Sequence, residues 1–174
     1  MSTVDTVHTQ GGVEQMENNG KLWEGVVRET LVGVYGVSLD RLPDPMMGYK
    51  GIRNICDFIV YRIPYQFYVE CKTVKGNTFP LGNITQNQWE GLLEKSKISG
   101  VKGIVLLWFS EHDTVVALSI EYLDGLRRSG YKSFNIKTTF EEPRGFKVIP
   151  CTVPRVKPKM DGEQLLDLMA KIDK

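Results

Sequence analysis

Read from the N-terminus, apolar residues fall first at helical and then at strand-like spacing. The stretch "KLWEGVVRETLVGVYG" places Leu22, Val26, Val27 and Leu31 on one helical face, with Asn18 or Asn19 as a cap and Gly36 as a stop. Residues 1–19 ahead of it are polar and follow neither period, which predicts a mobile leader. "VSLDRLPDPMMGYKG" predicts a short strand running into a loop, because two prolines and two glycines break any long regular element. Next, "NICDFIVYRIPYQFYVECKTVKG" sets two strand-like runs on either side of Arg62, Ile63 and Pro64, the pattern of a hairpin. After a Pro/Gly/Asn loop, Trp89, Leu92, Leu93 and Ser96 line one side of a second helix ended by Gly100. "KGIVLLWFS" is a continuous apolar run, as a buried strand has, and "TVVALSI" is its partner after a polar turn. "IEYLDGLRRSG" predicts a short helix, "SFNIKTTF" and "FKVIPCTV" two extended pieces, and "DGEQLLDLMAKIDK" a terminal amphipathic helix. This order predicts an α/β fold with a central mixed β-sheet flanked by helices.

Composition narrows the class. A chain of 174 residues with 41% apolar and 25% charged residues has room for one domain with a real core, expected over residues 20–174. The three cysteines, Cys56, Cys71 and Cys151, are odd in number and widely spaced, which argues against a disulfide framework or a thiolate zinc site and for a reducing cytoplasm. The N-terminal stretch has no signal-peptide pattern, and the longest apolar run is far short of the ~20 residues that span a bilayer, so no membrane is expected. A net charge of +1 gives no global attraction to nucleic acid, but "RRSGYK" and "RVKPK" concentrate positive charge locally.

The hairpin carries charges that a core hairpin does not need. On a strand, residues i and i+2 share a face, so Glu70 and Lys72 point one way while Val69 and Cys71 point the other. A turn between Ile63 and Pro64 pairs residues whose numbers sum to 127 and sets Asp57 opposite Glu70. Two carboxylates so close raise a pKa unless a cation intervenes. Oxygen-only ligands suit Mg²⁺ or Mn²⁺ rather than zinc, and such an ion keeps water in its shell, as hydrolysis of a phosphodiester requires. Lys72 then acts as a point charge on water or phosphate. The competing reading is an ordinary exposed Glu-x-Lys pair on an edge strand.

Context favours the first reading. Asp57, Glu70, Cys71 and Lys72 match the Asp, then Glu-x-Lys signature of the PD-(D/E)xK nuclease superfamily. "VECKTVKGNTFPLGNITQNQ" closely resembles the RecU-type Holliday junction resolvases, in which Glu-x-Lys is followed by a Ser/Thr-Phe-Pro-Leu loop and a helix-opening Gln; Thr78, Phe79, Pro80, Leu81 and Gln88 hold those positions. Upstream, "GKLWE" resembles the first-helix Gly and Glu of that family, and "LDRLPDP" its Pro-x-Pro loop. The resemblance implies a restriction-endonuclease-like core, a divalent metal, and a homodimer acting on four-way or otherwise branched DNA in a bacterial cell or a phage-infected host. Only "MMGYKGIRNIC" separates Pro45 from Asp57, which leaves no room for the long stalk of the larger bacterial members and is similar to the compact phage-borne relatives.

Residue by residue, the resemblance implies catalytic roles for Asp57, Glu70, Lys72, Gln88 and Glu24, with Asp57, Glu70 and Glu24 as metal ligands. The candidate DNA contacts are Thr73, Lys75 and Thr78 around the loop, Arg127, Arg128 and Lys132 in "RRSGYK", and Arg155, Lys157 and Lys159 in "RVKPK"; for each, a merely solvated or loop-decorating role is the competing reading. Trp23, Trp89 and Trp108 are expected in the core rather than as base-stacking platforms. Rival functions are a duplex-cutting nuclease of the same superfamily and a DNA-binding module without chemistry.

Overall fold

The structure, a computed structural model, describes residues 10–43, 54–140, 145–154 and 156–173. Helix α1 (Gln10–Leu31) leads into strand β1 (Ser38–Arg41), and β2 (Phe58–Arg62) and β3 (Tyr65–Val74) form the hairpin. A short strand β4 (Thr78–Pro80) and a 3₁₀ turn (Leu81–Asn83) precede α2 (Gln86–Ser96). Then come β5 (Val101–Phe109), β6 (Thr114–Ser119), α3 (Ile120–Arg128) and β7 (Ser133–Asn135). The remaining elements are β8 (Phe146–Ile149), β9 (Cys151–Thr152), β10 (Lys159–Met160) and α4 (Gly162–Ala170).

Six strands form one sheet in the order β1-β2-β3-β5-β6-β8. The β3–β5 pair is parallel, joined by the crossover through α2, and the other pairs are antiparallel. This is the expected mixed sheet flanked by helices. One face packs on α1 and α4, where Trp23, Val27 and Leu31 meet Leu165, Leu166 and Met169 over Phe58, Phe67 and Leu106. The other face packs on α2 and α3, with Trp89, Leu92, Ile120 and Leu123 over Val105, Leu107 and Phe109. Strand β5 is therefore buried on both sides, which is why its sequence is a continuous apolar run with no polar alternation. All three tryptophans are in these clusters, and the Trp23 Nε1–H donates to the Leu106 carbonyl at 2.9 Å.

The hairpin register pairs Phe58 with Val69, Val60 with Phe67 and Arg62 with Tyr65, leaving Ile63 and Pro64 as the turn. These are the pairs whose numbers sum to 127. That ladder stops at Phe58 and Val69: just before β2 the pairing shifts by one, with the Asp57 N–H donating to the Val69 carbonyl at 3.0 Å, so the expected Asp57–Glu70 pair is not part of it.

Three elements differ from the sequence pattern. Helix α1 begins at Gln10 rather than near Gly20, because its first two turns hold two glycines and only Val13 and Met16 as apolar residues, too short a repeat to mark a helix. "SFNIKTTF" holds only three residues of strand before a 3₁₀ helix over Ile136–Phe140. Those three residues pair with Thr78–Pro80, so part of the predicted loop is a ladder too short to show periodicity. Residues 1–9 of the predicted leader, the loop residues 44–53 and Arg155 lie outside the described residues. Among the described residues no helix is long and apolar enough to cross a membrane.

Candidate active site

Strand alternation places Glu70 and Lys72 on the sheet face covered by α2, and the Asp57 carboxylate lies against β3 just ahead of β2. Asp57 is fixed by its own strand's neighbour: its Oδ2 accepts from the Cys71 N–H at 2.7 Å. Glu70 is 2% exposed, and its Oε1 accepts from Lys72 Nζ at 2.8 Å and from Gln88 Nε2 at 2.6 Å. Lys72 also donates to Gln88 Oε1 at 3.3 Å, so Glu70, Lys72 and Gln88 close a triangle. Gln88 is held there by local sequence. "TQNQ" is a capping box: the Thr85 side chain accepts from the Gln88 N–H, and Gln88 Oε1 accepts from the Thr85 N–H at 3.0 Å. The parallel pairing of β3 with β5 sets Glu70 beside Val105 and Lys72 beside Leu107, an apolar floor that excludes water from beneath the charges.

The electrostatics of this cluster are unfavourable as it stands. Burial pushes the Asp57 carboxyl up to about 6, opposed by its bond to the Cys71 N–H and reinforced by the charge of Glu24. Burial also pushes Glu70 up to about 7, with the Asp57 charge adding to it and Lys72 pulling it down. Glu70 Oε2 is buried and has no hydrogen-bond partner among the described residues. An orphaned carboxylate oxygen beside a second carboxylate is a donor set that fits a hard divalent cation. The neighbouring thiols fit none: burial, aided by the two carboxylates, raises Cys56 to about 12 and holds Cys71 well above the ordinary thiol range, so both stay protonated.

A stability effect follows, with a definite sign. Both acids hold their protons more tightly in the folded chain, so the stability they contribute is fully present below their ordinary values of 3.8 and 4.5 and is lost as the pH rises through about 6 and 7. In metal-free buffer, Glu70→Gln should therefore gain on the wild type between pH 5 and pH 8, by on the order of 1–2 kcal/mol. Denaturant melts at the two pH values measure this; an unchanged difference would mean that Glu70 is not strained.

Glu24 stands at the edge of the cluster rather than inside it. Its charge acts on Asp57 and Glu70, but its Oε2 is bonded to Arg41 at 2.9 Å, and among the described residues no three His, Cys, Asp or Glu side chains converge as a metal cage. The expected ligand set of Asp57, Glu70 and Glu24 is thus a pair plus an outlying acid held by an arginine. Arg41 has no signature in the chain pattern, since it reaches Glu24 from β1 across 17 residues and also lowers the pKa of Asp57. Lys21, Glu24, Gly25 and Arg28 lie at helical spacing on α1, and together with Arg41 they line one concavity. That spacing, Lys-x-x-Glu-Gly-x-x-Arg, is the one sign of this surface in the sequence.

The other candidate residues are dispersed. Thr73 alternates to the sheet face opposite Glu70 and Lys72, and Lys75 follows β3 half-buried. The Thr78 hydroxyl accepts from Asn135 Nδ2 at 3.1 Å, bracing the β4–β7 ladder. Arg127 lies over the Trp89 ring, 4.9 Å from its centre, and with Lys132 lines a concavity that includes Leu81 and Gln86 at the start of α2. Arg128 is paired with Asp124 at 2.9 Å. Lys157 pairs with Glu29 at 2.7 Å, and with Lys159 it borders a separate concavity against Val26 and Thr30.

No protein-family model matches the chain. No curated protein matches it either. Among solved structures, the chain is similar to Hjc of Archaeoglobus fulgidus, a Holliday junction resolvase from an archaeal hyperthermophile, with 15% sequence identity and a TM-score of 0.40 over 83% of this chain and 98% of that one.

Proposed function

We propose that the chain is a divalent-metal-dependent DNA endonuclease that acts as a homodimer on four-way junctions. One observation carries the reading: a buried Glu70 with an oxygen unpartnered among the described residues, next in sequence to the Cys71 N–H that holds Asp57, with the Lys72 ammonium 2.8 Å from its other oxygen. An exposed edge-strand pair would have neither the burial nor the orphan, and β3 is an interior strand. The match of these residues to the PD-(D/E)xK signature supports the same chemistry.

Asp57 and Glu70 are the residues that would hold Mg²⁺ or Mn²⁺, with Glu24 as an outlying acid. When bound, the ion would polarise the scissile phosphate and acidify water. Lys72 brings a compact positive charge and one remaining N–H donor to the same place, where a phosphate gains negative charge during attack. Gln88 orients Lys72 and Glu70 through its two ends. Resolution of a four-way junction requires paired cuts, and one chain carries a single Asp57, Glu70, Lys72 set, so two chains related by a two-fold axis are the economical arrangement.

The test is incubation with a synthetic mobile four-way junction and a matched linear duplex, each with Mg²⁺, Mn²⁺ or EDTA. Paired symmetric cuts in the junction, absent in EDTA, are expected. Equal cutting of the duplex would indicate a restriction-type enzyme, and junction binding without cutting under any metal would indicate a binding module. Cleavage undiminished by EDTA would overturn the role of the metal.

A further inference from the structure

We infer that the concavity lined by Lys21, Gly25, Arg28 and Arg41 is a cradle for a DNA backbone phosphate next to the one being cut; this rests on the nuclease reading above. Three cations reach it from two elements. Lys21 and Arg28 are exposed on α1, and Arg41 comes from the neighbouring edge strand β1. Glu24 is the acid in the group, and Arg41 engages it at 2.9 Å. Among the described residues Lys21 and Arg28 make no side-chain hydrogen bond or ion pair, whereas Glu29, the next residue along the helix, is paired with Lys157. Two unpartnered cations a helical repeat apart, facing a hollow, are a surface completed by an anion.

Gly25 is the second observation. Glycine within a helix is unfavourable, because it has the most backbone freedom to lose and no side chain to pack. Nothing in the fold requires it here: a Cβ on Gly25 would meet no atom within 4 Å, and its φ is not in the left-handed region. What a side chain would occupy is the hollow itself, which Gly25 lines between the two cations. The bare helix backbone lets a bulky anion approach closely.

Position supplies the identity of the anion. Arg41, on one rim, lies opposite Phe58 in the β1–β2 ladder, and the N–H of the next residue, Leu42, donates to the Asp57 carbonyl at 2.9 Å; Glu24 borders the hollow and is bonded to Arg41. The Arg41 rim of the hollow therefore adjoins the chain end that carries Asp57. A polyanionic strand whose one phosphate lies at the carboxylates passes naturally over its neighbours.

The experiment measures binding of a fluorescent four-way junction in EDTA over a salt series. Lys21→Ala/Arg28→Ala is expected to weaken binding at least about tenfold and to flatten the slope of log affinity against log salt by roughly 2, near 0.9 for the one cradled phosphate on each of the two chains of the dimer. Gly25→Ala is expected to raise the melting temperature and yet weaken binding, a divergence that a purely structural role for Gly25 does not produce. Lys147→Ala/Lys171→Ala removes the same charge elsewhere and should leave affinity within about twofold. Unchanged affinity and slope in Lys21→Ala/Arg28→Ala, with a wild type that binds and cuts, would overturn the cradle alone. An equal loss in the Lys147/Lys171 control would also overturn it, by showing that net charge is what matters. A wild type that neither binds nor cuts DNA would overturn the nuclease reading and the cradle with it.

Discussion

Asp57→Asn and Glu70→Gln should each lower junction cleavage by roughly a hundredfold to a thousandfold or more while leaving junction binding within a few fold. Each change conserves shape and removes one negative charge from the proposed metal site. The amide oxygen of the asparagine can still accept the Cys71 N–H bond that holds Asp57 at 2.7 Å, so the hairpin is not disturbed. Binding draws on cations elsewhere on the surface and loses nothing by the change. Single-turnover cleavage and EDTA-condition binding, run on the same preparations, separate the two effects. Weakened binding in step with weakened cleavage, or a variant that no longer folds, would place both carboxylates in a structural role.

Lys72→Ala is expected to reduce turnover by roughly 10²–10³, the scale of losing one donor to a developing charge, with junction affinity nearly unchanged. It should also move the pH dependence. Lys72 lowers the pKa of Glu70 by its charge and by its hydrogen bond, so its removal lets burial and Asp57 raise that pKa further. The rising limb of residual activity should then shift to higher pH, because Glu70 must lose its proton before it can hold a cation. Lys72→Arg should restore the charge without full activity, since a planar guanidinium does not fit the triangle that Nζ makes with Glu70 and Gln88. A rate within twofold of wild type in Lys72→Ala would reduce the Glu-x-Lys pair to a structural ion pair.

Much of this arrangement is legible in the chain because it depends on local rules. The two-residue turn at Ile63 and Pro64 sets the register of β2 against β3, which brings the chain at Asp57 alongside Val69 and Cys71. The period of Trp89, Leu92 and Ser96 defines α2, and "TQNQ" fixes its start and with it the position of Gln88. What is not legible depends on contacts between distant segments. Arg41 meets Glu24 only because the edge strand β1 lies next to α1's acidic turn, a consequence of the sheet order. Of the basic clusters, Arg128 and Lys157 prove to be tied to Asp124 and Glu29, partners that a count of positive charge does not reveal. The start of α1, with only Val13 and Met16 at helical spacing, and the three-residue β4–β7 ladder leave too short a period to read.

Gln88 ties two requirements into one side chain, and this limits what sequence change the position can accept. By the rules of helix starts alone, glutamate is as good a third residue of a capping box as glutamine, and it suits the positive end of the helix better. Here, however, the amide nitrogen is the group that donates to Glu70 Oε1 at 2.6 Å. A carboxylate in its place would face a buried carboxylate instead of bonding to it. A chain drifting toward a stronger helix start would thus disarm its own acid cluster. Position 88 is a point where optimisation of the fold and retention of the chemistry pull in opposite directions, and sequences selected only for thermal resistance should be the ones that lose the glutamine.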